Sequence, residues 1–267
     1  MSWILGISDW FMGLGNVTRL AVVDFSIQWV LGGIAVLKQT ERYYDLAGSS
    51  TFLLLAYLNF QWNTDDHPRQ VIQTGCICLW AFRLGSFLFT RVLKAGEDKR
   101  FTKIRVDPRR FFVAWNIQGV WVILTLLPSI LGVSSTQQPP LVLRDYIGWS
   151  MWTVGFVTEV LADYQKTKWR NDPANKDKFI TVGLWSISRH PNYFGEIMLW
   201  FGLYISASAT FSGLEYLTVL CPVFNYLLIT KLSGIPMLER YAEKKWGSSP
   251  QYQAYVRDTP ALVPFLN

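Results

Sequence analysis

The chain has 267 residues, of which 51% are hydrophobic, 16% aromatic and only 16% charged, with 13 Trp and a formal net charge of +6. An ordinary soluble domain carries about 25% charged residues, and here the charges clump between long uncharged runs. Composition thus excludes a soluble globule and a nucleic-acid-binding module, and it points to an all-α, polytopic integral membrane helix bundle whose loops hold the charge.

The opening stretch "MSWILGISDWFMGLGN" lacks a basic n-region and a small-residue cleavage site, so no removable signal peptide is expected. Apolar runs predict spans at 20–37, 49–62, 71–93, 111–133, 145–164, 192–210 and 214–230. A span needs about 20 mostly apolar residues, or fewer where protein or snorkelling side chains shelter it. The second span, "SSTFLLLAYLNFQW", is short, and the last two are joined only by "FSG", as in a re-entrant hairpin. Cys76 and Cys78 lie in one apolar run and Cys221 in another. A Cys-x-Cys pair on a helix aims its thiols to different sides, so these read as buried small hydrophobes and no metal site is expected.

Basic residues set the expected orientation. Eight Lys/Arg lie in 91–110, six in 165–191 and five beyond 230, with Lys38 and Arg42 after the first span. Arg19, Arg69 and Arg144 fall on the other side. Seven spans, with the N-terminus outside and the C-terminus cytosolic, gather 21 basic residues on one face against 3 and leave Arg83 inside the third span. There is no repeat and no Gly/Ser linker, so 1–267 reads as a single membrane domain.

A charged group at membrane depth is costly and normally faces a polar interior. Asp24 and Gln28 are one turn apart in the first span, and Asn116 and Gln118 interrupt the fourth. In the fifth, Glu159, Asp163, Lys166 and Arg170 follow 4, 3 and 4 spacing and share one helix face. The segment "SISRHPNYFGEI" (186–197) then sets Arg189, His190, Asn192, Tyr193 and Glu196 around Pro191. Pro191 suits a first helical turn, Ser188 and His190 supply a cap, and Asn192 and Glu196 share a face. Gly195 admits either another backbone or a flat ligand. A helix start beside an arginine favours an anion such as a phosphate. Trp149, Trp152, Trp169, Trp185, Trp200 and Tyr204 read mostly as an interfacial belt.

"GLWSISRHPNYFGEIMLWFG", with "RLGSFLFTRVLKAGEDKRF", "FFVAWNIQGVWV" and "SGIPMLERYAEKKWGSSPQYQAYVRDTPALVPF", resembles the DUF1295 family of the steroid 5-alpha-reductase C-terminal domain superfamily. Sterol C14 reductases and isoprenylcysteine carboxyl methyltransferases share variants of the RHP motif. The resemblance implies a seven-helix membrane enzyme that uses NADPH to reduce a carbon–carbon double bond of a lipophilic substrate. It implies cofactor contacts at Asn192 and Glu196 (Asn-(x)3-Glu), at Asp163 and Arg170 (Asp-(x)6-Arg), and at Arg189, His190 and Tyr193. Asn116, Glu159, Tyr252 and Tyr255 join them as candidates.

Steroid reductases polarise the ketone with a Glu and a Tyr on the second and third helices. Here Arg83 falls near the Tyr position and the second span holds no Glu. Tyr44 and Asp45 of "ERYYDLAGSS", with Arg83, are therefore the candidates for catalysis. On this expectation 1–110 forms the lipid-substrate side and 111–267 the cofactor side. The partners expected are the membrane and a lipophilic small molecule entering from the bilayer, the protein is expected to be a monomer, and its location is the endoplasmic reticulum or a bacterial inner membrane. The alternatives are an S-adenosylmethionine-dependent membrane methyltransferase and a non-catalytic sterol-binding or scaffold protein.

Overall fold

The computed structural model describes residues 11–63, 65–98 and 100–266. The signal-peptide reading therefore falls largely outside the described residues, as does Lys99 of the basic block.

Among the described residues every regular element is helical. They are α1 (Asn16–Lys38), α2 (Tyr44–Asn63), α3 (Pro68–Ala95), α4 (Pro108–Ser134), α5 (Leu143–Asn171), α6 (Pro191–Ala207), α7 (Leu220–Leu227), α8 (Gly234–Trp246) and α9 (Pro250–Asp258). Short 3-10 turns cover Gly183–Ser186 and Gly213–Val219, and a π-helical turn covers Leu228–Leu232. Starts follow local chemistry: α3, α4 and α9 each place Pro in the first turn, where its missing N–H costs nothing. Asp107 caps α4 by accepting from the Arg109 and Arg110 N–H groups, and Ser249 caps α9 by accepting from Tyr252.

Among the described residues, four helical segments are long and apolar enough to cross a membrane: α1, α3, α4 and the run Gly213–Trp246. The other three expected spans are helical as well. However, α6 has only 17 residues, α5 is long but rich in polar residues, and α2, at 20 residues longer than the expected 49–62, carries polar side chains at both ends.

The chain divides into two compact units, residues 1–142 with 207–216, and residues 143–206 with 217–267. In the first, Phe52 meets Trp80 and Trp121 edge-on at 5.0 and 4.9 Å between centroids. Gly32 lies against the Trp115 ring and Gly85 against Ser49, so these helices approach at small residues. A buried polar row crosses this core. Gln28 donates to Asp24 (3.1 Å) and Thr51 (3.4 Å), and Gln118 donates to Gln28 (3.0 Å). The basic segment after α3 folds back on Glu41, which accepts two bonds from Arg105 at 2.9 Å and one from the Asp98 N–H at 3.0 Å.

In the second unit, α5 and α6 run antiparallel in backbone contact. A Cβ on Gly155 would lie 2.6 Å from the Gly195 carbonyl oxygen, and one on Gly148 would lie 2.5 Å from that of Gly202. Both pairs are seven residues apart, two helical turns, so one glycine face is presented twice. Of the two readings of Gly195, the structure selects the neighbouring backbone. Trp152, Trp185 and Trp200 are buried in this unit. These three therefore depart from the expected aromatic belt, because their rings are covered by the protein itself.

Candidate functional site

The antiparallel glycine register has a direct consequence. One turn beyond Gly155 toward the C-terminal end of α5, and at the start of α6, the polar side chains of both helices meet. Glu159 and Asp163 are buried, and Asn192 donates its amide N–H to Asp163 at 3.2 Å. Further along α6, Glu196 accepts from the Trp200 indole at 2.8 Å. The Asn192 side-chain oxygen Oδ1 is buried and has no hydrogen-bond partner among the described residues.

Three residues past Asp163 and two before Asn192 the chain enters a cavity of about 550 Å³. Its walls come from the end of α5, the loop 175–180, the turn at Trp185, the pair Arg189–His190, and α8 and α9. Six cationic side chains line it, Lys166, Arg170, Lys176, Lys178, Arg189 and Lys245, against two acids, Asp177 and Glu239. Aromatic rings complete the wall, among them Trp169, Phe179, Trp246 and Tyr252.

The wall is held by specific bonds. The Trp185 indole donates to the Ala162 carbonyl (3.0 Å), and the Lys166 ammonium sits 4.0 Å from the centre of the Trp185 ring. Phe179 stacks on Tyr255 at 5.6 Å, and the Tyr255 hydroxyl donates to the Trp185 carbonyl at 2.6 Å. Burial raises the Tyr252 and Tyr255 hydroxyls above the ordinary tyrosine range, so both stay protonated donors. Asp177 takes a positive φ of 63°. From there it accepts from Lys245 (2.8 Å) and offers its carbonyl to the Trp246 indole (2.6 Å), closing the loop onto α8. Its partner Lys245 holds the Asp177 carboxyl below the usual range.

Arg189 and His190 are stitched to the C-terminal segment. Arg189 donates to the carbonyls of Val256 (2.7 Å) and Thr259 (2.8 Å) and to Glu239 (3.2 Å). Ser188 donates to the Leu262 carbonyl at 2.7 Å and accepts the His190 N–H at 3.2 Å, a bond within the turn that precedes α6. His190 Nε2 lies 2.6 Å from Glu239, and its ring stacks on Tyr193. Burial lowers the imidazole below its ordinary range, against the pull of Glu239.

The remaining sequence candidates lie in the first unit. The Tyr44 hydroxyl donates to the Ala114 carbonyl at 2.8 Å, and its ring packs on Phe101 and Trp115. Asp45 pairs with Arg100 at 2.5 Å, and the Arg83 guanidinium sits 5.3 Å from the Phe87 ring. Asn116 accepts from the Trp29 indole (3.0 Å) and donates to the Phe112 carbonyl (2.8 Å). Each of these side chains has a partner inside its own unit.

The structure thus joins Asp163 to Asn192, and it gathers Arg170, Arg189, His190, Tyr252 and Tyr255 around one cavity. Sequence reasoning left out Lys176, Lys178, Glu239, Lys245 and the cavity tryptophans Trp169, Trp185 and Trp246. The basic-aromatic tail "ERYAEKKW" was the signal available for three of them.

Similarity searching agrees with the motifs. No solved structure matches the chain. An uncharacterized protein of Schizosaccharomyces pombe, C594.04c, is 21% identical over 98% of this chain and 84% of its own length. A protein of Ustilaginoidea virens described as "Probable O-methyltransferase ustE" is 27% identical over 39% of this chain and 34% of its own length. The family model described as "Protein of unknown function (DUF1295)" matches residues 29–259, and the chain belongs to that family.

Proposed function

We propose that this protein is a membrane-embedded, NADPH-dependent reductase of a carbon–carbon double bond in a lipophilic substrate, steroid-like, enone or polyene. One observation carries the reading: the second unit holds a cavity with six cationic side chains against two acidic ones, walled by aromatic rings. A phosphate-bearing dinucleotide supplies negative charge for such a rim and flat bases for such walls. A cavity of this size is ordinary for a cofactor.

NADPH supplies a hydride when bound. Lys166, Arg170, Lys176, Lys178 and Lys245 are the residues that would hold its phosphates. Arg189 lends charge to the rim while its donors tie down the C-terminal segment. Asn192, bonded to Asp163, stands at the nicotinamide end on the strength of the family resemblance. Tyr44 and Asp45 are assigned no proton transfer, because one is donated to a backbone carbonyl and the other is ion-paired. A seven-span arrangement with a cytosolic C-terminus belongs to the same proposal. It faces the basic loops to the cytosol and opens the site to a soluble cofactor, with the substrate arriving through the bilayer.

The partial match to a protein named as an O-methyltransferase favours a second reading, S-adenosylmethionine-dependent methyl transfer. That cofactor has no phosphate and carries a sulfonium cation, which a rim of six cations opposes. Titration of the purified protein distinguishes the two. Saturable enhancement of nicotinamide fluorescence by the protein is expected. Heat of binding with S-adenosylmethionine, and none with NADPH, would reverse the order.

A further inference from the structure

At one end of the first unit, where α1 and α3 stop and α2 and α4 start, the chain sorts its charges. Glu41 accepts from Arg105 at 2.9 Å, and Arg100 bridges Asp45 at 2.5 Å and Asp98 at 2.6 Å. The side chains of Glu41, Asp45 and Asp98 are only 5%, 11% and 10% exposed. Glu97 and Asp107 pair with Arg105 and Arg110, each at 3.2 Å. Phe101 is buried with Phe111 and Trp115 and pins the segment between α3 and α4. Lys38, Arg42, Lys94, Lys103 and Arg109 are exposed and stand outside these ion pairs. Three of them have an apolar neighbour in sequence, Leu37, Tyr43 and Leu93, and these and Val106 are each at least 50% exposed.

Orientation in a bilayer does not call for this sorting. The positive-inside rule counts Lys and Arg in short loops and is nearly indifferent to Asp and Glu, so it leaves open where the acids point. A surface field does depend on it, because an acid beside a lysine cancels much of that cation's pull on an anion. The exposed apolar residues narrow the partner. A polyanion in water offers nothing to Leu37 or Val106, whereas a leaflet offers phosphates to the cations and acyl chains to the apolar side chains. α1, α3 and α4 are long and apolar enough to cross a membrane, and a span sets its ends at headgroup level. We propose that this end of the first unit is a docking surface for anionic phospholipid headgroups. Its cations meet headgroup phosphate while Leu37, Tyr43, Leu93 and Val106 enter the acyl boundary. The proposal rests on the membrane-spanning reading of these helices. None of its residues lines the cationic cavity, and it does not depend on the cofactor reading.

Full-length protein in a neutral detergent is titrated with phosphatidylglycerol and with phosphatidylcholine of identical acyl chains, and bound lipid is counted by native mass spectrometry. Wild type is expected to prefer phosphatidylglycerol about thirtyfold at low salt, as two cations on one headgroup supply at about fivefold each. Lys94→Gln/Lys103→Gln, with melting curves showing that it is folded, is expected to lose at least about fivefold of that preference, with phosphatidylcholine unchanged. Lys176→Gln/Lys178→Gln, in the cavity, is expected to keep it. Excess inorganic phosphate is expected to leave the lipid bound, since it has no acyl chains.

Equal binding of the two lipids by wild type overturns the inference, as does an unchanged preference in Lys94→Gln/Lys103→Gln. A loss in Lys176→Gln/Lys178→Gln instead would move the lipid to the cavity and overturn it too. Displacement of phosphatidylglycerol by inorganic phosphate or by a short oligonucleotide would make this a site for anions in water, not for a leaflet. Protein that stays soluble without detergent and binds neither lipid removes the membrane reading and this inference with it.

Discussion

Gly155 on α5 and Gly195 on α6 face each other so closely that a methyl group on Gly155 would sit 2.6 Å from the Gly195 carbonyl oxygen. The obstacle is backbone, which cannot rotate aside. Gly155→Ala and Gly195→Ala are therefore each expected to destabilise the protein by about 1–3 kcal/mol, the usual cost of overpacking. Thermal melting in detergent checks this. Gly75→Ala is the control, since a Cβ there meets nothing within 4 Å, and a helical alanine is favoured over glycine by about 0.5–1 kcal/mol. A Gly75→Ala loss as large as that at Gly155 would contradict the glycine contact.

Glu41 is the acid on which the basic segment folds. Burial alone would raise its carboxyl, but two bonds from Arg105 and one from the Asp98 N–H hold it below the ordinary value of 4.5. A depressed folded-state value stabilises above the unfolded value and is lost as pH falls through the folded one. Glu41→Gln is thus expected to melt lower than wild type at pH 7, with the gap closing below about pH 4. Melting curves across that range decide it, and a gap independent of pH would rule out the ion pair as its source.

His190 titrates with the same sign for a different reason. Burial lowers it from 6.5, opposed by Glu239, with Lys166 and Arg189 also favouring the neutral ring. The unfolded chain takes up the proton first as pH falls, so stability is full above about pH 6.5 and declines below it. His190→Gln has no such proton and is expected to flatten the melting profile between about pH 5 and 6.5 relative to wild type. Parallel profiles would assign the decline to other groups.

Asp24 is fully buried in the first unit. It accepts from Gln28 at 3.1 Å, and its second oxygen has no hydrogen-bond partner among the described residues. A buried carboxylate without a cation is unfavourable, so the isosteric Asp24→Asn is expected to be neutral or stabilising. Asp24→Ala, which removes the nearer of the two acceptors of the Gln28 amide and leaves only Thr51 at 3.4 Å, is expected to cost about 1–3 kcal/mol. Chemical denaturation of both variants in the same detergent tests the pair. An Asp24→Asn loss as large as that of Asp24→Ala would point to a required negative charge.

The local half of the site was legible because helical periodicity is local. Spacing alone places Glu159, Asp163, Lys166 and Arg170 on one face, and Pro191 after a polar run announces the start of α6. Partnership is not local. Arg189 reads as a phosphate ligand beside a helix start, yet it donates to carbonyls 67 and 70 residues away. Nothing in "SISRHP" reveals which carbonyls the fold will bring there.

Composition and charge pattern by themselves pointed to a helical chain with runs long and apolar enough to cross a membrane and to its basic loops, because apolar length and charge placement answer to the bilayer, a uniform solvent. Only the tertiary structure decided which tryptophans are buried, which polar side chains are already spent on backbone carbonyls, and which cations share a cavity. Those outcomes depend on side chains far apart in sequence meeting within a few ångströms. At Gly155 and Gly195 that meeting is set by two missing Cβ atoms, whose effect exists only when both helices are present.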